Sequence, residues 1–326
     1  MGAPRLRAVS VVICTRDRPE QLHGCLEAVA RLDYPSYEVV VVDNAPADDA
    51  TRRVADQWAV RYVEEPVGGL SRARNTGARA STGEVVAFLD DDARPNVDWL
   101  QELTAPFITA GVVAVTGKTE PSAPGVVSRQ SAAQSARPFT VFDKTNEQWF
   151  EQANFGGIGN GNNMAILRSV LKDWPGFDVR LGRGAIIEGG EEHHAFFQLI
   201  ERGWKVAFTP KAVVQHQEPA TPSEIAASHL RLVRTSAAYL TFLFAEYPMY
   251  RSRVIAFAKE ALARQASLAR NGSMQSGRRS TLRLLASAVA GLLVYLKSRL
   301  QDRKPPISES RAPSAKAAQS LENTPH

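Results

Sequence analysis

A chain of 326 residues, 44% hydrophobic and 22% charged, is long enough to bury a complete α/β core and still carry an addition. Two cysteines, Cys14 and Cys25, exclude a disulfide framework, and residues 1–7 lead to the first strand without a signal peptide's apolar stretch, so a cytosolic site is expected. The net charge of +5 is uneven: residues 221–326 hold 16 Lys and Arg against 6 Asp and Glu, yet they lack the basic and aromatic alternation of a nucleic-acid binder.

In chain order, the β-branched run at residues 9–14 reads as a strand buried on both faces that ends in Thr15 and Arg16. Leu22, Leu26 and Val29 share one face of a following helix, with Pro19 near its start. Residues 37–42 repeat the buried-strand pattern and end in Asp43 and Asn44. A connection from Gly69 to Gly77 carries Arg72 and Arg74, whose guanidinium groups suit phosphate oxygens, and Asn75, a candidate for a cap or for the site. A third run, residues 85–89, stops at Asp90, Asp91 and Asp92. Strand, helix, strand, helix, strand predicts a doubly wound sheet with its ligand outside the strands' carboxyl ends. Three carboxylates at that edge suit a divalent cation better than a core.

Residues 155–165 are rich in Gly and Asn, and a helix is expected to begin near Leu167. There Asn160, Asn162 and Asn163 offer donors and acceptors to a hydroxyl-rich ligand. Glu191 and Glu192 head a helical stretch over 195–202; the adjacent His193 and His194 point about 100° apart and do not form a chelating pair. His216 closes a strand-like run over 211–216. Residues 236–245 and 284–296 are apolar but shorter than the ~20 residues a membrane span needs. With flanking arginines they fit helices lying on an anionic membrane surface, or helices packed on the N-terminal sheet domain or in an oligomer interface. From about Gln301, Pro, Ser, Ala and Lys predict a disordered tail.

The runs at 11–19, 41–44, 69–77 and 83–92, followed by Pro95, resemble in order and spacing a family 2 glycosyltransferase. That resemblance implies an α/β GT-A nucleotide-sugar-binding fold, a Rossmann-like, mixed but mostly parallel sheet with a C-terminal α-helical extension. It places the catalytic domain at 1–220, a basic helical region at 221–300 and the tail at 301–326. The implied reaction is inverting, metal-dependent transfer from a nucleotide-diphosphate sugar, favoured as UDP-linked, to a polysaccharide or lipid-linked acceptor at the cytoplasmic membrane face. A dTDP- or GDP-sugar transferase such as a rhamnosyltransferase is the alternative, as is a non-catalytic GT-A scaffold subunit. By the resemblance, Thr15, Arg16, Asp43, Arg74, Asp90 and Asp91 bind the nucleotide sugar, and Asp92 and His216 hold Mg²⁺ or Mn²⁺. Asn160, Asn162 and Asn163 meet donor sugar and acceptor, and the base is Glu192 or Glu191. His194 stands where the family often has another acid, which suggests an acceptor-pocket role. Residues 174–178 and 182–184 resemble a flexible segment that closes over substrate, with Trp174 or Phe177 available to stack on a sugar.

Overall fold

The computed structural model describes residues 6–122, 134, 136–217, 221–270 and 278–302. The first half forms β1 (Val9–Thr15), α1 (Pro19–Val29), β2 (Tyr37–Asn44), α2 (Ala50–Ala55), β3 (Arg61–Glu65), α3 (Leu70–Ala80) and β4 (Val85–Asp90). Val11, Val12, Ile13, Val40, Val41 and Val42 have no exposed surface, as β-branched residues covered on both sheet faces should. α1 starts at Pro19, where a missing N–H costs nothing, and buries Leu22, Cys25, Leu26 and Val29. β1 pairs in parallel with β2 and with β4, placing Thr15 opposite Asp43 and Cys14 opposite Asp90. The polar strand ends therefore line one edge.

The second half adds β5 (Ala93–Pro95), α4 (Trp99–Thr104), β6 (Val112–Pro121), β7 (Thr140–Phe142), α5 (Trp149–Asn154), β8 (Asn163–Leu167), α6 (Glu191–Glu201) and β9 (Lys205–His216). All strands join one mixed sheet of order β3-β2-β1-β4-β8-β6-β9-β5, with β7 pairing to β9. Residues 163–167 correct a sequence expectation: instead of leading into a helix near Leu167 they form β8, antiparallel to β4 and β6, followed only by a short 3-10 turn. Met164, Ala165 and Ile166 are fully buried, and a short apolar run of this kind has no periodicity to separate strand from helix.

β9 meets β6 in two registers. Thr209 lies opposite Gly117 and Val213 opposite Lys118, so Pro210, Lys211 and Ala212 have no partner on β6. Proline cannot donate to a ladder, and it falls where the ladder is interrupted. Beyond this bulge β9 also pairs with β5, which sets His216 opposite Ala93.

The described residues divide into two compact units. The first, residues 6–179 and 191–217, contains the sheet. The second groups residues 180–190 with α7 (Pro222–Glu246), α8 (Arg251–Arg270) and α9 (Arg278–Asp302). Within it the buried Glu246 carboxylate accepts from Arg180 at 3.1 Å and from the Tyr295 hydroxyl at 3.1 Å, and it pairs with Arg299 at 3.2 Å. A Cβ at Gly291 would stand 2.3 Å from the Arg234 carbonyl oxygen, so α9 approaches α7 backbone to backbone. Gln301 and Asp302, expected in the tail, are helical; residues 303–326 of that expectation lie outside the described residues. Among the described residues no helix is long and apolar enough to cross a membrane.

Candidate active site

β4 delivers Asp90 to the sheet edge, and the pairing of β5 with β9 brings His216 beside the residue that precedes Ala93. His216 Nε2 lies 3.0 Å from Asp92 Oδ1 and 4.0 Å from Asp90 Oδ2, and one ligand atom from each of the three residues lies within 4.8 Å of the others. Two carboxylates and an imidazole form a donor set suited to Mn²⁺ or Mg²⁺. Burial opposes ionisation of Asp92, but the neighbouring His216 and Arg18 outweigh it and hold the carboxyl well below the usual carboxylate range. Asp92 is thus held as a carboxylate.

Asp91 behaves differently from its neighbours. It is 3% exposed, accepts from Thr15 Oγ1 at 2.7 Å and from Arg18 at 2.8 Å, and is pushed up to about 6 by burial against those partners. Asp91 and Thr15 were expected on the nucleotide sugar; here they fasten the end of β1 to the end of β4 beneath the surface. Arg18 gives its second arm to Asp92 at 2.7 Å. Sequence reading assigned Arg18 no role, although a cation flanking Pro19 at the end of β1 faces the edge where the acids gather.

On the nucleotide side, Arg16 is exposed and Asp17, in the left-handed region at φ 52°, accepts from the Ala47 amide at 2.9 Å. This ties the turns after β1 and β2. Asp43 is fully buried, accepts from the Tyr62 hydroxyl at 2.8 Å, and is raised by burial. The expected direct contact with a base therefore meets a covered side chain, and Tyr62, pushed up to about 12 by burial and Asp43, is a partner the sequence did not single out.

Arg74, on α3, is the hub. It reaches Glu191 Oε1 at 3.0 Å, the Gly161 carbonyl at 3.0 Å and Asp90 Oδ1 at 3.4 Å, with the Phe177 ring 5.6 Å away. A Cβ at Gly161 would meet its guanidinium at 2.9 Å, so glycine lets the loop lie against it. At only 2% exposure, Arg74 is a link between the acid corner and the head of α6 and not an open phosphate clamp. Burial, then the charge of Glu192, raises Glu191 to about 7 against the pull of Arg74. Glu192 is half-buried and stands outside the ion pairs of Arg74. Of the two base candidates, Glu191 is buried and paired with Arg74 through Oε1, and Glu192 stands half-buried beside it.

Several expected ligand contacts prove to be packing. Asn163 has no exposed surface; it accepts from Trp99 Nε1 at 2.9 Å and donates to the Lys118 and Ala212 carbonyls at 2.9 Å each. Asn162 accepts from Thr119 Oγ1 at 3.0 Å, and of the three asparagines only Asn160 is more than marginally exposed. Trp174 and Phe177, candidates for sugar stacking, are buried edge-to-face with each other, and Phe177 also meets Phe88 edge-to-face. Asn75 neither caps a helix nor enters the site: its amide exchanges hydrogen bonds with the Phe177 backbone at 2.8 and 2.9 Å. His194 is fully buried and stacked on Phe197, so it lines no acceptor pocket.

An acid and histidine cluster at the carboxyl edge of a Rossmann-like sheet, with a carboxylate at a helix head nearby in sequence to β9, is the arrangement of a group-transfer enzyme of the GT-A fold. Residues 10–174 match the family described as Glycosyl transferase family 2; the chain belongs to that family and is a glycosyltransferase. It is 30% identical to Glycosyltransferase AglE of Haloferax volcanii over 222 residues, 66% of this chain and 67% of that protein. It is 29% identical to Succinoglycan biosynthesis protein ExoM of Rhizobium meliloti over 232 residues, 67% of this chain and 69% of the other. Among solved structures, the fold resembles mannosyltransferase PcManGT of Pyrobaculum calidifontis in complex with GDP-Man and Mn²⁺, with TM-score 0.58, 21% identity, and coverage of 92% of this chain and 89% of that one. It also resembles S. aureus TarS residues 1–349 in complex with UDP-GlcNAc, with TM-score 0.55, 16% identity and 91% coverage of each.

Proposed function

We propose that this glycosyltransferase moves a sugar, with inversion, from a nucleotide-diphosphate donor to a polysaccharide or lipid-linked acceptor at the cytoplasmic face of a membrane. The observation that carries the reading is the triad Asp90, Asp92 and His216, convergent within 4.8 Å. A Mn²⁺ or Mg²⁺ ion held there by Asp92, His216 and Asp90 would neutralise charge on a departing diphosphate. Arg16, exposed at the end of β1, meets the nucleotide, and Asn160 meets the sugars. Glu192 accepts the acceptor hydroxyl's proton as the new bond forms, because a single displacement needs one carboxylate within hydrogen-bond reach. Glu191, paired with Arg74, fixes the head of α6 beside it.

UDP is the favoured donor nucleotide. GDP and dTDP are its competitors, since similar folds have been solved with GDP-Man and with UDP-GlcNAc. A thermal-shift panel of UDP, GDP and dTDP with and without Mn²⁺ tests the reading, because a ligand that binds only the native state raises the melting temperature. The favoured diphosphate stabilises the parent only with metal, Asp92→Asn abolishes the shift, and Glu192→Gln keeps it while losing nucleotide release from the donor sugar. Absence of a metal-dependent shift with any of the three would overturn the proposal, and a fully active Glu192→Gln beside an inactive Glu191→Gln would move the base to Glu191.

A further inference from the structure

α9 has two opposite faces. Gly291, Tyr295 and Ser298 are buried, and the close approach at Gly291 sets that side against α7. On the other side Val289, Leu292, Leu293, Leu296 and Leu300 are exposed by 59%, 44%, 59%, 48% and 80%. Their spacing of i, i+3, i+4, i+7 and i+11 puts all five within one stripe at 100° per residue. Five aliphatic side chains in a row are more than scattered surface apolarity requires.

The charge around the stripe indicates its occupant. α9 carries five Arg and Lys against a single Asp; Arg299 is paired with the buried Glu246, and Lys297 is exposed at the stripe's border. Residues 221–326 together hold 16 Lys and Arg against 6 Asp and Glu, so a polyanionic surface is the complementary partner. A second copy of this basic helix would bring like charges together. It would also bury too little: the stripe runs ~16 Å along the axis and about 10 Å across, far below the ~800 Å² per partner of a stable protein interface. A helix of this design has its preferred seat in the headgroup region, apolar side inward and cations toward anionic lipid.

We infer that the Val289 to Leu300 stripe of α9 docks this glycosyltransferase on an anionic lipid surface. The inference rests on the membrane-face reading above and names the face that makes the contact. Docking through it combines apolar insertion with electrostatic attraction, so added salt weakens binding without abolishing it.

The test uses the full chain with vesicles of phosphatidylcholine alone or mixed with phosphatidylglycerol, at low and high salt, read by co-sedimentation. The parent is expected to sediment with the anionic vesicles, more at low salt. Leu293→Glu/Leu296→Glu should lower partitioning by ~10-fold or more, since two exposed leucines that would insert into the lipid are replaced by charges that anionic lipid repels. Ile108→Glu, at an exposed apolar residue of the first unit, should leave it unchanged. Each variant is first checked for the metal-dependent nucleotide shift, which separates a misfolded protein, and a failed transferase reading, from a failed docking face. Equal sedimentation of the parent and the double variant overturns the inference, as does a parent that ignores the vesicles. A parent that is dimeric by light scattering, with a monomeric double variant and no lipid binding by either, assigns the stripe to a second copy.

Discussion

Replacing Arg74 by Met would test whether the hub holds the site together. The substitution keeps a long side chain but leaves Glu191, 6% exposed, without the partner 3.0 Å away. Breaking a buried pair from one side typically costs ~3–5 kcal/mol, because the remaining charge is uncompensated. Glu191 has an escape, since its carboxyl already stands at about 7 and takes up a proton readily. The cost should therefore be near ~3 kcal/mol at pH 8 and only about 1 kcal/mol at pH 5, where the carboxyl is neutral with or without Arg74. For a unit of roughly 200 residues, with an unfolding entropy of ~2.1 cal/mol/K per residue, 3 kcal/mol corresponds to a fall of about 7 °C in Tm. Urea unfolding of the parent, Arg74→Met, Glu191→Gln and the double variant completes a cycle at each pH. The double variant should lose about 2 kcal/mol less than the sum of the singles at pH 8. Additivity within ~0.5 kcal/mol, or a cost for Arg74→Met that ignores pH, would refute the assignment of Arg74 as the counter-ion of Glu191.

Three further outcomes follow from the same geometry. The folded-state pKa of Glu191 lies above its unfolded value, so its contribution to stability is present below pH 4.5 and is lost as pH rises to about 7; Glu191→Gln should flatten the urea midpoint across that window, and an unchanged slope counts against it. Asn163→Ala should destabilise by ~3 kcal/mol or more, because Trp99 Nε1 and the Lys118 and Ala212 carbonyls all lose their partner; a loss below about 1 kcal/mol by calorimetry would show that the cross-tie contributes little. His216→Ala, at the end of β9 and partly exposed, should leave the melting temperature of the unliganded protein nearly unchanged while raising ~10-fold or more the Mn²⁺ needed for the nucleotide-dependent shift. An unmoved Mn²⁺ midpoint would remove His216 from the proposed ligand set.

The parallel half of the sheet was legible because its signal is local. Near-continuous apolar runs within 9–14, 37–42 and 85–89 announce strands covered on both faces, and acids at their ends have nowhere to go but the edge. The meeting of Asp92 and His216 was expected only through resemblance, since 124 positions of chain separate them and a strand pairing that no local pattern encodes brings them together; Asp90, expected on the nucleotide sugar, joins the same cluster. What misled was side-chain chemistry read without depth. Asn163, Asp91, Trp174 and His194 all look like ligand contacts by residue type, yet each is buried, because a polar group facing inward and one facing a substrate look the same in a sequence. β8 was mistaken for a helix approach for a related reason: five buried residues are too few to display a period.

The bulge in β9 places a constraint on how this chain can change length over evolution. Its first half, Lys205–Thr209 by register, is locked into the core against β6, and its last residue, His216, has to emerge on the face where Asp92 waits. Side chains alternate faces along a strand, so losing one residue of this step would turn both His216 and the buried Val214 to the opposite face while Lys205–Thr209 kept their register. Insertions and deletions drift freely through most surface turns, where the flanking strands hold their places. Here an indel would remove one corner of the triad and disturb the buried Ala212 and Val214 together, so relatives that keep the histidine should also keep the parity of this three-residue step.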